Sequence, residues 1–185
     1  MQRPIVEVSP QERPSFFDPG DFPFVHLLER SAPVFRRELD RVLDDDAFSP
    51  WLETGLYSNG WSAFALRFFG HRFDENCLKC PRSTEIVEQV PNLLTAGFSR
   101  LAAGARIKPH VGYTSRVLRC HLGLISPPRC GIRVGGETRS WTEGKCLIFD
   151  DTIEHEAWNE SGEDRVVLLL DFLKEGANEP GAEAD

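Results

Sequence analysis

The period of the apolar residues divides the chain into two parts. Between 24 and 43, Val25, Leu28, Val34, Phe35, Leu39 and Leu43 recur at helical spacing, interrupted by Pro33. That pattern predicts a helix kinked at Pro33, or two helices with Ser31 capping the second. Upstream, Pro4, Pro10, Pro14, Pro19 and Pro23 oppose regular structure, so residues 1–22 read as an extended lead-in. After a turn at Asn59-Gly60 comes an aromatic strand, "WSAFALRFFG". Residues 71–82 then read as a polar loop, and "STEIVEQV" as a short helix stopped by Pro91. From 95 onward the period becomes two. About six or seven short strands are separated by turns at Gly104, Pro127-Pro128, "VGGE" and "TEGK", a spacing that predicts a mainly β sandwich or barrel.

No internal repeat or second domain is evident. The expected organisation is one domain over 1–173, with lead-in and helices in 1–58 and a β-barrel core in 59–173. The acidic, small-residue end at 174–185 reads as a disordered tail. A chain of 185 residues suits one packed domain. No apolar run approaches the roughly 18 residues needed to cross a bilayer, and the N-terminus has no signal-peptide core. A soluble, cytoplasmic protein with no membrane partner is expected.

Charge narrows the ligands. A formal net charge of −8 argues against nucleic acid, which favours a basic face. Yet 97–119 holds Arg100, Arg106, Lys108, Arg116 and Arg119 with no acid, which suggests a small anionic ligand. The five cysteines are odd in number and accompany no secretion signal, so reduced thiols are expected. Cys77 and Cys80 have CxxC spacing, but zinc needs two further ligands and no second pair exists.

The unusual strand is "RVLRCHLGLI". Period two puts Leu118, Cys120 and Leu122 on one face and Arg119 and His121 on the other. If the second face is inward, an unpartnered cation and imidazole there cost several kcal/mol, which an anionic carboxylate offsets. A solvated outer face needs no ligand. Arg165, opening "RVVLLLDF", poses the same choice with Val167 and Leu169 on its side. A histidine early in the barrel (His110), another about 45 residues on (His155) and an arginine about ten further (Arg165) suggest a mononuclear iron site with an anionic cosubstrate. Against this, Gly112 stands where the usual facial triad carries a carboxylate, and Glu154 and Glu156 point away from His155 in a strand.

The ordered motifs "GWSAFAL", "PHVG", "LRCHLGL", "GKCLIFDDTIEHEAWN" and "RVVLLLDF", from 60 to 172, resemble the aspartyl/asparaginyl β-hydroxylase family of 2-oxoglutarate oxygenases. The resemblance implies a double-stranded β-helix (jelly-roll, cupin-like) and an Fe(II) site of two histidines without a carboxylate, which makes Gly112 a signature. It implies that His110 and His155 hold Fe(II). Arg165 and Ser99 would hold the distal carboxylate of 2-oxoglutarate, Arg119 and His121 the proximal one, and Trp61 would line the pocket. His110, His155 and Arg119 form the catalytic set. The implied reaction consumes O2 and 2-oxoglutarate, hydroxylates an sp3 carbon of an amino acid, peptide or natural-product precursor, and releases succinate and CO2. One departure stands out: Val117 occupies the place of a substrate-binding arginine, leaving Arg116 and Arg133 as candidates for that role. The alternative is a cupin-like protein that binds metal or a small acid as a sensor without turnover. A purely structural domain would leave the inward charges unexplained.

Overall fold

The computed structural model describes residues 14–44, 47–57 and 60–174. The strands are β1 (Phe16–Phe17), β2 (Ser49–Pro50), β3 (Trp61–Phe68), β4 (His71–Arg72), β5 (Leu93–Leu101) and β6 (Arg106–His110). They continue with β7 (Val117–Ile125), β8 (Cys130–Val134), β9 (Glu137–Arg139), β10 (Cys146–Phe149), β11 (His155–Asn159) and β12 (Arg165–Leu173). Four helices precede β5: α1 (Phe24–Arg30), α2 (Ala32–Asp44), α3 (Asp74–Lys79) and α4 (Pro81–Val87). The strands form a large antiparallel sheet in the order β1-β10-β7-β12-β5-β3-β2, with β4 on β3, facing a small one in the order β6-β11-β8-β9. This is a double-stranded β-helix, as the motifs imply.

Three local readings need amendment. The 71–82 stretch is not a loop: it holds β4 and α3, whose first turn carries Asp74 and Glu75 at the positive end of the helix. The N-terminal part is also less separate than expected, since β1 pairs with β10 and β2 with β3 in the large sheet. On α2, Val42 rather than Leu43 completes the buried stripe with Phe35 and Leu39. The helix does break near Pro33, with α1 ending at Arg30, Ser31 capping it, and α2 starting at Ala32 with Pro33 in its first turn. The expected tail falls almost wholly outside the described residues.

Alternation along the large sheet creates two cores. Leu118, Cys120, Leu122, Val166, Leu168 and Leu170 face outward and pack under Leu28, Phe35 and Leu39 of the helices. Cys77 and Cys80 belong to this helix–sheet core, and burial pushes the Cys80 thiol up to about 12, so the CxxC pair is apolar packing. Leu101, Val167, Leu169, Trp61 and Phe149 face inward, against Ile107, Ile132 and Ala157 of the small sheet. The helices therefore shield one face of the large sheet and leave the other free to carry chemistry.

Asn159 locks the two sheets together at one end. Its buried amide donates to the carbonyls of Leu101 (2.9 Å), Ala102 (3.1 Å) and Glu163 (2.7 Å). Its carbonyl accepts from Ser161 N and Oγ and from the Cys130 thiol. This clip sets the entry of β12 and hence of Arg165. Asn159→Ala strands several buried polar groups and is expected to lower stability by about 2–4 kcal/mol, read by urea unfolding.

Candidate active site

A pocket lies between the sheets, and its walls include Trp61, Ser99, His110, Arg119, His121, His155 and Arg165. All seven candidates from the sequence line this one space. The basic run at 97–119 does not face it as a block. Alternation sends Arg100 and Arg106 outward, where they pair with Asp164 and Glu160.

His110 and His155 sit directly across the β6–β11 ladder, with ring centroids 4.2 Å apart. A strict period of two would put Ile107 and His110 on opposite faces, yet both line the pocket. The register shift between them resolves this: Ala157 pairs with Ile107 and His155 with His110, so β6 carries one extra residue. That bulge holds Pro109, which has no N–H to give the ladder. Each histidine is fixed in the same way. His110 Nδ1 lies 2.8 Å from the Lys108 carbonyl and His155 Nδ1 lies 2.9 Å from that of Ile153. A carbonyl only accepts, so each Nδ1 carries the proton and each Nε2 keeps its lone pair. Burial lowers the pKa of His110 and pushes His155 down to about 3, so both rings are neutral.

Arg165 is 1% exposed, and among the described residues no carboxylate pairs with it. Its Nη1 reaches the Ser99 carbonyl at 3.4 Å, its guanidinium lies 4.6 Å from the Trp141 ring, and its Nε has no partner. Burial pulls its pKa down to about 10, leaving it charged at neutral pH. Beside it, Trp61 Nε1 donates to Ser99 Oγ at 3.1 Å, which leaves the hydroxyl proton free to donate. Trp141 Nε1 donates to His121 Nδ1 at 3.3 Å. His121 Nε2 is therefore the protonated nitrogen, and it too is buried without a partner. Burial, followed by the nearby Arg165 and Arg119, keeps that imidazole neutral.

Arg119 behaves differently. Its Nε and Nη2 bind Asp171 at 2.7 and 3.0 Å, and Asp151 approaches Nη2 at 3.4 Å. Burial works against its charge, but the two carboxylates outweigh burial and hold the pKa above the ordinary arginine value. Asp171 sits opposite Arg119 in the β7–β12 ladder. Sequence reading overlooked it, although it shares the parity of Arg165, Val167 and Leu169. It also overlooked Asp151 and Trp141, which lie between strands where no periodicity marks them. Of the substrate-binding candidates, Arg133 is held by Glu156 at 2.6 Å, Glu154 and the Gly135 carbonyl. Arg116 is exposed and outside the pocket wall. Among the described residues, no group of three or more His, Cys, Asp or Glu side chains is placed to hold one metal; His110 and His155 stand as a pair.

The family model for aspartyl/asparaginyl beta-hydroxylase matches residues 29–175. The chain belongs to this family. The ornithine lipid ester-linked acyl 2-hydroxylase of Rhizobium tropici is 38% identical over 171 residues, covering 87% of this chain and 61% of that protein. The aspartyl/asparaginyl beta-hydroxylase of Homo sapiens is 33% identical over 183 residues, covering 92% of this chain but 24% of its own length. The chain thus spans less than two thirds of these curated relatives. Among solved structures, a prolyl hydroxylase from Trichoplax adhaerens superposes with a TM-score of 0.53 at 10% identity, covering 79% of each chain. A Pseudomonas putida prolyl-4-hydroxylase gives 0.50 at 16% identity, covering 78% of this chain and 88% of that one. At these identities the likeness concerns the fold alone. No helix among the described residues is long and apolar enough to cross a membrane.

In this member of the family, Gly112 has a clear steric reason. A Cβ on it would lie 2.1 Å from Asp151 Oδ2, and its N–H donates to the Asp151 carbonyl at 2.7 Å. The space over Gly112 is filled by the Asp151 carboxylate, reached from the loop before β11. Burial pushes that carboxyl up to about 6 against the pull of Arg119. Gly112→Ala must displace Asp151 and is expected to lower stability by about 1–3 kcal/mol, measured by thermal unfolding of the metal-free protein.

Proposed function

We propose that the chain is an Fe(II)/2-oxoglutarate-dependent hydroxylase acting at an sp3 carbon, with succinate and CO2 as co-products. The observation that carries this reading is Arg165: a fully buried cation with no carboxylate partner among the described residues, on the opposite sheet of the same pocket from two neutral imidazoles whose Nε2 atoms keep their lone pairs. Leaving such a charge uncompensated opposes folding, and a bound carboxylate relieves it. An unpartnered His121 Nε2–H and an available Ser99 hydroxyl add neutral donors to the same pocket. A dicarboxylate matches this donor set.

In this reading His110 and His155 hold Fe(II) through Nε2, oriented by the Lys108 and Ile153 carbonyls. Arg165 and Ser99 receive the distal carboxylate of 2-oxoglutarate, while His121 and Arg119 face the proximal one. When bound, Fe(II) supplies the chemistry that couples O2 and decarboxylation of 2-oxoglutarate to hydroxylation of a C–H bond. Asp171 and Asp151 fix the Arg119 guanidinium, so its position does not depend on the cosubstrate. Trp61 holds the Ser99 hydroxyl, and Trp141 both sets the His121 tautomer and covers the Arg165 guanidinium. Phe149, Leu169 and Ile132 close the walls and exclude water, which strengthens each charged contact.

The relatives' names specify different substrates: an ester-linked acyl chain for one, aspartyl and asparaginyl residues for the other. In this chain Val117 is 2% exposed in an apolar cluster with Leu94 and Leu173, so that position offers no cation to a substrate carboxylate.

The test is anaerobic addition of Fe(II) and 2-oxoglutarate to the full chain, following the weak visible charge-transfer band. The wild type is expected to show the band. His110→Ala and His155→Ala are expected to lose it, and Arg165→Ala to weaken 2-oxoglutarate binding about a hundredfold or more. No band in folded, iron-loaded protein would overturn the reading. A band without succinate release on any substrate would favour the acid-binding sensor.

A further inference from the structure

The inward face of the large sheet extends beyond the cosubstrate pocket. Ser99 and Leu169, which line that pocket, also line a second, small cavity. Trp51, Ala63, Ala65 and Phe68 line both that cavity and a third, larger one that opens at the surface. The three spaces thus follow one another along the inner face of β5 and β3. Their floor is made of small residues. Ala63, Ala65 and Gly97 occupy inward positions, and a Cβ on Gly97 would lie 2.6 Å from the Phe64 carbonyl oxygen. The walls are apolar: Trp51 stacks on Trp61 at 4.4 Å, and Phe68 meets Trp51 edge-on at 6.3 Å. Leu52 and Phe73 continue the outer cavity while 75% and 36% exposed.

Among the described residues, the wall of the outer cavity contains no charged side chain. Its Asn76 is occupied, donating to the Ala65 carbonyl at 2.7 Å. Arg67, on the middle cavity, donates outward to the Gly70 carbonyl at 3.3 Å. One polar atom in this wall does lack a partner: Trp51 Nε1, buried and with no hydrogen bond. It is an unsatisfied donor on a residue that lines both cavities, which suits a carbonyl on an otherwise apolar chain.

We propose that this channel binds the substrate, and that the substrate is an uncharged acyl chain whose carbonyl accepts from Trp51 Nε1–H. The assignment to a substrate rests on the oxygenase reading of the neighbouring pocket. Free amino acids and acidic peptides find no charged side chain among the described residues of the outer cavity, and Arg67 on the middle one donates to the Gly70 carbonyl, whereas each methylene laid over Ala63, Ala65 and Phe68 leaves water.

The test uses a homologous series with a neutral headgroup, so that the probe does not compete for Arg165. Octanoyl-, nonanoyl- and decanoyl-N-methylglucamide, kept below their micelle concentrations, are titrated calorimetrically into the full chain held anaerobically with Fe(II) and 2-oxoglutarate. Binding is expected to tighten about fourfold per added methylene. Ala65→Trp, which fills the channel without touching the cosubstrate pocket, is expected to weaken the longest probe tenfold or more. Leu52→Glu, at an exposed wall position where folding is not at stake, is expected to weaken it severalfold. Affinity independent of chain length, or unchanged in both variants while 2-oxoglutarate still binds, overturns the proposal. Acyl binding in a protein that does not bind 2-oxoglutarate instead overturns the oxygenase reading, and with it the assignment of the channel to a substrate.

Discussion

A guanidinium is buried between two β-sheets with no carboxylate to meet it. Arg165 contributes nothing to stability that a methionine would not, and its desolvation opposes folding. The rest of the pocket makes sense as provision for that charge. Trp141 lies against its face, the Ser99 carbonyl takes one N–H weakly, and β12 fixes its backbone through ladders on both sides. Arg119, one strand over, lines the same pocket with its charge already compensated by Asp171 and Asp151. Of the two inward arginines, one is therefore held in place by the framework whether or not a ligand is bound, and the other is compensated only by a ligand.

The fold permits this because the large sheet has a core on each face. Helices α1, α2, α3 and α4 bury one apolar face, and this outer core accounts for much of the apolar burial. The inner face can then carry Arg119, His121 and Arg165 in place of aliphatic residues. The small sheet opposite contributes the two histidines, and the bulge at Pro109 brings His110 to the same side as Ile107. Asn159 ties β11 to the start of β12, so the histidine ladder and Arg165 share one rigid mount.

Much of the site was legible because it lies in strands, where parity assigns faces. Arg119 and His121 against Leu118, Cys120 and Leu122 could be read directly, and the ordered motifs brought in His110, His155, Ser99, Trp61 and Arg165. Asp171 carried the same parity signal, but its meaning depends on facing Arg119 across β7–β12, and register is not written in either strand alone. Asp151 and Trp141 act from irregular segments, where nothing periodic announces a side chain's direction. The basic cluster misled for the opposite reason: its charges are neighbours in sequence, and alternation sends Arg100 and Arg106 to acids on the outside. Likewise α3 was hidden by its polarity, because a six-residue helix that buries little besides Cys77 leaves no apolar stripe.

The central claim is that Arg165 is retained for a ligand at the expense of the empty fold. Thermal unfolding of the wild type and of Arg165→Met, each with Fe(II) under anaerobic conditions and with or without saturating 2-oxoglutarate, tests it directly. The account predicts that the ligand-free variant unfolds at the same temperature as the wild type or higher. It predicts too that 2-oxoglutarate stabilises the wild type by about 2.7 kcal/mol at a hundred times its Kd, and the variant not at all. A variant that unfolds well below the wild type, yet is stabilised by 2-oxoglutarate to the same extent, would show Arg165 to be framework and contradict the account.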